Sequence, residues 1–271
     1  MSKKEGKTCI CADDFGLSNS ICMGILDLVK KQKIQAVSCI VNKDSFNKNY
    51  KKLKMYSKNI DIGLHINLTE LDDRINLKFN NIFNIFSSFY LIISKKKIEE
   101  EILLQLNTFK KYFKFEPKFI DGHHHIHQIP FIRDSVIKVI NKKKTKVRYC
   151  GDRVSSIIFK KSNVIKSLLI SFFSFGLKKK MIENKISHNL SFSGIYHFNS
   201  KFSYDKIFEK FLNYRTPKHL IMCHPAKKNL RDNYKDQILG SRLNEYKFFM
   251  SDHFNKIIKK KKIKLSLFSK F

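Results

Sequence analysis

The chain has 271 residues, with 54 Lys and Arg against 23 Asp and Glu, for a formal net charge of +31. A charge of that size suits nucleic acid or an anionic surface, yet the lysines lie in scattered short runs with no zinc-finger spacing, basic heptad region or RNP-type motif. Asparagine, isoleucine and phenylalanine are abundant and tryptophan is absent, a joint bias that an AT-rich coding sequence produces, so charge alone specifies no nucleic-acid partner.

Residues 8–12 read as a short buried strand that runs directly into Asp13, Asp14 and a turn at Gly16. Ser18 or Asn19 can cap a helix over 20–31, where Ile21, Ile25, Leu28 and Val29 recur at helical spacing. Adjacent carboxylates at a strand end serve a turn or, since they repel, a cation held between them. Strands are expected at 36–41 and 60–67, the second delivering His65; alone, such a histidine is ordinarily a hydrogen-bonded core residue. An apolar stretch at 82–93 borders Lys95, Lys96 and Lys97, and a helix is expected over 98–112.

The strand at 118–122 ends in Asp121-Gly122-His123-His124-His125-Ile126-His127, which places four of the ten histidines within five residues. The cluster is internal, so it is no terminal tag, and imidazole is the commonest metal ligand. A helix over 131–141 and a strand at 146–149 carrying Arg148 follow. A second apolar stretch occupies 164–177, ahead of Lys178, Lys179 and Lys180. Strands at 194–198 and 218–223 come next, the latter ending in His224 and Pro225. A helix over 241–258 carries Arg242 and Glu245 as a surface or packing pair, and a strand at 262–266 is the last element.

Alternating strands and helices imply a parallel sheet. For this length they predict an α/β fold, a distorted (β/α) TIM-like barrel of about seven strands, in one domain over 1–271 with no flexible linker. Such barrels gather catalytic groups at the carboxyl ends of different strands, where Asp13, Asp14, His65, His123 and His224 would meet. The six cysteines lack CxxC spacing and suit reduced thiols of a cytoplasmic protein. The first strand begins at residue 8, which leaves no room for a signal peptide. Both apolar stretches are too short to span a bilayer. They could pack on the barrel, form a homodimer interface, or rest peripherally on the inner face of a membrane, in which case the substrate could be lipid-linked.

The segments ADDFGLS (12–18), GLHINLT (63–69), DGHHHIH (121–127), VRYCGDR (147–153) and MCHPA (222–226) resemble the YdjC-like family of carbohydrate deacetylases, which includes chito-oligosaccharide deacetylases and a hopanoid-biosynthesis branch. The likeness runs from residue 8 to the segment 241–254 and is poor near 153–193. It implies a metal-dependent hydrolase that removes acetyl from an N-acetylated sugar, with Asp14, His65 and His123 as metal ligands, Asp13 as base and His224 as acid. Two imidazoles and a carboxylate suit one divalent ion, and the resemblance permits magnesium or zinc. His125 and His127 are read as substrate contacts or as partners that orient the ligands. Arg148 could bind a sugar hydroxyl or phosphate, or pair with Asp152 or Asp121. A metal-dependent phosphoesterase and a catalytically silent sugar- or anion-binding protein are the alternatives.

Overall fold

The computed structural model describes residues 6–70, 95–160, 163–213, 216–228, 232 and 234–271; the apolar stretch at 82–93 lies outside them. Strand β1 (Lys7–Phe15) is followed by α1 (Asn19–Lys30), β2 (Ala36–Cys39), α2 (Asp44–Lys54) and β3 (Asp61–Ile66). Next come α3 (Lys95–Phe113), β4 (Phe119–Gly122), a 3₁₀ turn (His123–Gln128), α4 (Pro130–Val139) and β5 (Lys146–Val147). Helices α5 (Val154–Lys160) and α6 (Val164–Glu183) precede β6 (Ser191–Ser193), α7 (Tyr204–Asn213) and β7 (Lys218–Cys223). Helices α8 (Leu239–Met250) and α9 (Asp252–Lys260) lead to β8 (Lys264–Leu265).

Seven strands lie in the order β5-β4-β3-β2-β1-β7-β6, and β8 pairs with the first residues of β1. Every pairing is parallel, so the connections cross over on the outer face of the curled sheet and cover it, while the inner face closes on itself. Alternation along the strands then sorts the side chains. Ile10, Ala12, Ile120 and Ile221 pack outward beneath the helices, while Cys9, Cys11, Phe119, Phe192 and Leu220 fill the inside. The result is a distorted (β/α) barrel. All six cysteines are free and buried, small apolar residues inside or against the sheet.

The two ends of the strand path meet without a ladder between β5 and β6 among the described residues. Asn189 bridges them instead: its Oδ1 accepts from the Tyr149 amide at 2.9 Å and its Nδ2 donates to the Tyr149 carbonyl at 2.7 Å.

Local chemistry explains the turns. Gly16 has φ +101, and a Cβ there would sit 2.2 Å from the Ile40 carbonyl oxygen, so the chain can fold back over β2 only at a glycine. The Ser18 hydroxyl accepts from the Ile21 amide at 3.3 Å and caps α1. Three expectations change. β6 occupies 191–193 rather than 194–198, because Gly194 turns the chain out of the strand at φ +120. The single helix expected over 241–258 is two, since Ser251 is extended and its hydroxyl caps the second through the Phe254 amide. The stretch 164–177 belongs to α6, which turns Ser167, Ser171 and Ser174 inward and leaves Ile165, Phe172 and Phe175 exposed. No helix among the described residues is long and apolar enough to cross a membrane.

Candidate metal centre

The centre sits at the carboxyl ends of β1, β3 and β4. Within the barrel, side chains two residues apart share a face, so Asp13 follows Cys11, and Asp121 follows Phe119, toward the interior. His65 and Asp121 are direct register partners on β3 and β4. Their side chains therefore meet: Asp121 Oδ1 lies 2.6 Å from His65 Nδ1 and accepts from the Ser38 hydroxyl at 2.5 Å.

Asp14 leaves the strand pattern. Its φ is +69, a left-handed conformation that Asp tolerates better than most residues, and its carboxylate turns toward the histidines rather than away from Asp13. Asp14 Oδ1 stands 3.3 Å from His65 Nε2 and 2.9 Å from His123 Nδ1. One donor atom from each of these three residues lies within 4.8 Å of the other two, and all three residues are buried.

The far side of each donor is held as well. Asp121 holds His65, Glu70 Oε1 lies 3.6 Å from His123 Nε2, and Arg242 Nη2 donates to Asp14 Oδ2 at 2.7 Å. Backing of this kind fixes ring orientation and raises ligand basicity. Asp13, Asp14, Glu70, Asp121 and Asp236 outnumber Arg148 and Arg242 here, so the pocket carries excess negative charge. Burial by itself would lower the His65 imidazole, but Asp121, Asp14 and Asp13 raise it to about 10. Against the cost of burial, His123 and Arg242 hold the Asp14 carboxyl well below the usual carboxylate range. A carboxylate and two backed imidazoles in a pocket that attracts positive charge fit one divalent cation.

Asp13 stands beside that trio. Arg148 grips it with two bonds of 2.6 Å, Nη1 to Oδ2 and Nη2 to Oδ1, and also pairs with Asp121 Oδ2. Burial raises the Asp13 carboxyl above the ordinary Asp value despite the arginine. A second group of donors, Cys11, Asp13 and Asp121, also converges, but the Arg148 guanidinium already supplies its cation. Arg148 is fully buried, so of the roles open to it the ion pair with Asp121 and Asp13 is the one it has, and a direct sugar contact is not.

The remaining predicted residues divide. His124 and His125 have φ of +53 and +61, so the 3₁₀ turn directs only His123 at Asp14. His125 is half-buried with its ring edge-on to Phe192 at 5.6 Å. His127 is buried, its Nε2 donates to the Arg148 carbonyl at 3.0 Å, and burial pulls it down to about 4. It steadies the segment just after β5 that carries Arg148. His224 is half-buried and edge-on to Phe198, and its Nδ1 has no protein partner. Burial, joined by Arg242, His65 and His123, lowers its imidazole well below the ordinary value, so it rests neutral.

Sequence reasoning missed Glu70, Asp121, Arg242 and Glu245 as parts of this centre. Arg242 and Glu245 are no surface pair: both are buried, one on Asp14 and the other accepting the His224 amide at 2.5 Å and the Tyr196 hydroxyl at 2.5 Å. Arg242, Glu245 and Phe249 recur at i, i+3 and i+7, and that shared stripe with a core phenylalanine was the available signal.

Burial lifts the Glu245 carboxyl from 4.5 to about 7. The folded state therefore holds this proton more tightly than the unfolded chain. The stabilisation is complete below pH 4.5 and is lost as pH rises to about 7. Glu245→Gln should flatten that decline in pH-dependent thermal unfolding; an unchanged slope would show that Glu245 is not its source.

A sequence model of the YdjC-like protein family matches residues 7–260. A carbohydrate deacetylase of Halalkalibacterium halodurans is 25% identical over 244 residues, 86% of this chain and 87% of the relative. One from Clostridium beijerinckii is 25% identical over 189 residues, 66% and 75%. A Danio rerio carbohydrate deacetylase is 28% identical over 153 residues, and the chain spans about half of its length, 48%. Two crystal structures share the fold. A protein of Enterococcus faecalis V583, assigned provisionally to cellobiose-phosphate cleavage, superposes with TM-score 0.72 at 17% identity over 98% of each chain. A peptidoglycan N-acetylglucosamine deacetylase superposes with TM-score 0.50 at 12% identity, over 98% of this chain and 87% of that one.

Proposed function

Because the chain belongs to the YdjC-like protein family, we propose that its centre hydrolyses the acetamido group of an N-acetylated sugar, as a carbohydrate deacetylase assisted by one divalent cation. The observation that carries this reading is the convergence of Asp14, His65 and His123 beside a separate buried carboxylate, Asp13. Asp14, His65 and His123 would hold the ion, a divalent cation such as magnesium or zinc. When bound, it polarises the amide carbonyl and makes a water molecule more acidic.

The chain's own groups do the rest. Asp13 accepts the proton of the attacking water, aided by a carboxyl that burial has made more basic. Arg148 keeps it aimed and stops it from becoming a further ligand. The departing nitrogen needs a proton, and His224 is the group assigned to supply it. The proton that Asp13 takes from the water is the one the nitrogen needs: His224, neutral at rest, picks it up as negative charge develops on the substrate and passes it to the departing nitrogen, which leaves Asp13 and His224 as they began. His125 lines the approach as a substrate contact. Six buried thiols suit the cytoplasm as the working compartment.

Metal-loaded protein incubated with a panel of N-acetylated sugars should release acetate, and a chelator should stop it. Release of phosphate from sugar phosphates with no acetate from any acetamido sugar would transfer the centre to phosphoester chemistry.

A further inference from the structure

Helix α6 buries three serines alongside Ile170, Leu177 and Met181 and leaves larger apolar side chains outside. Inside α6, Ser174 bonds Gln128 and the Ile170 carbonyl, and Ser171 accepts from the Asp152 amide at 3.2 Å. Outside, Ile165 is 79% exposed, Phe172 68% and Phe175 59%, and α5 adds Val154, Ile158 and Phe159, each at least half exposed. Half or more of each of these six side chains stays outside the core. Scattered single apolar residues on a surface need no explanation, but Ile165, Phe172 and Phe175 recurring at helical spacing along α6, with three more on the neighbouring α5, do.

Charge says what covers it. Residues 154–182 contain six lysines and neither Asp nor Glu, within a chain of net charge +31; Lys166 and Lys178 lie over Phe198 and Tyr149, and Lys180 pairs with Asp134, so basic groups border the apolar positions. Two copies brought together through this face would set like charge against like. An anionic surface with an apolar interior answers both features, since lysines attract the headgroups while phenylalanine and isoleucine enter the acyl boundary. We propose that the α5–α6 face docks the protein on an anionic lipid bilayer. The inner edge of α6 reaches the centre: Lys166 lies over Phe198 at 5.8 Å, and Phe198 meets His224. Docking therefore holds the mouth of the site at the lipid surface. If the deacetylase reading also holds, the docked enzyme meets acetylated sugars borne on lipids.

The sequence has no tryptophan, so Phe172→Trp in the full chain gives a single reporter on this face. With phosphatidylcholine vesicles containing phosphatidylglycerol, its emission should move to shorter wavelength and be quenched by lipid brominated on the acyl chains. Cosedimentation of the unsubstituted chain should weaken at high salt yet persist, because salt screens lysines but not apolar insertion. Phe172→Ser and Phe175→Ser should each lower the salt-resistant partitioning by up to about tenfold, with the melting temperature unchanged. Absence of sedimentation with the anionic vesicles, or binding that high salt removes entirely, overturns the proposal. So does a reporter that stays unquenched, or a dimer in light scattering that those serine substitutions split. Should the serine variants fail to fold, Ile165→Ser, at the most exposed of the six positions, repeats the measurement. Vesicle binding is read without any enzymatic assay, so its failure and that of the deacetylase reading are separate results.

Discussion

His123→Ala is expected to abolish binding of the divalent cation and with it acetate release, whereas Asp13→Asn keeps the cation and lowers kcat by about 10²–10⁴-fold. The contrast follows from how differently two neighbouring acids are used. Removing the His123 ring deletes one of three converging donors. The asparagine amide, by contrast, keeps the shape of Asp13 and one oxygen for Arg148, but it cannot take a proton. Titration calorimetry with zinc and with magnesium, alongside turnover on the best sugar of the panel, reads both halves. Wild-type turnover in Asp13→Asn would remove that residue from the mechanism, and unchanged metal affinity in His123→Ala would break the proposed ligand set.

Arg148→Met should destabilise the fold by about 3–5 kcal/mol at neutral pH, the range for breaking a buried ion pair from one side. The guanidinium is fully buried between Asp13 and Asp121. Without it, two carboxylates face each other away from water, and their folded-state pKa values rise above the unfolded ones. The variant should therefore regain stability as pH falls and those groups protonate, the opposite of the usual Asp dependence. Adding Asp121→Asn removes one of the stranded charges and should recover part of the loss. Urea unfolding of the single and double variants from pH 5 to 8 measures this; a loss below about 1 kcal/mol would mean that Arg148 does not hold the two acids together.

The barrel was legible because its strands are buried on both faces and so read as short apolar runs, TCICA and LIMCH among them. The convergence of Asp14, His65 and His123 was legible for the same reason: each stands at or near the carboxyl end of such a run. What the chain order concealed were contacts made across the barrel. Asp121 gains its role from lying in register with His65, 56 positions away, and Arg242 reaches Asp14 across 228. Neither distance leaves a local trace. Helix α6 was obscure because periodicity tells that one face differs from the other but not which is turned inward. There the serines win the interior, since Gln128 and the Asp152 amide give their hydroxyls partners. The two-helix end of the chain hung on one residue, Ser251, whose extended backbone no propensity announces.

The left-handed bend at Asp14 has a consequence for anyone who would move this centre to another scaffold. A regular strand sends consecutive side chains to opposite faces, so an Asp-Asp pair copied onto it would deliver one acid and lose the other. The bend brings both to the same mouth, and each acid then answers to its own arginine: Asp13 to Arg148 from the middle of the chain, Asp14 to Arg242 from near its end. Transplanting the three ligands alone would yield a binder of indifferent geometry with an idle neighbour. The smallest portable unit includes the kinked dipeptide, both guanidinium groups and the Asp121 carboxylate that ties one of them to His65.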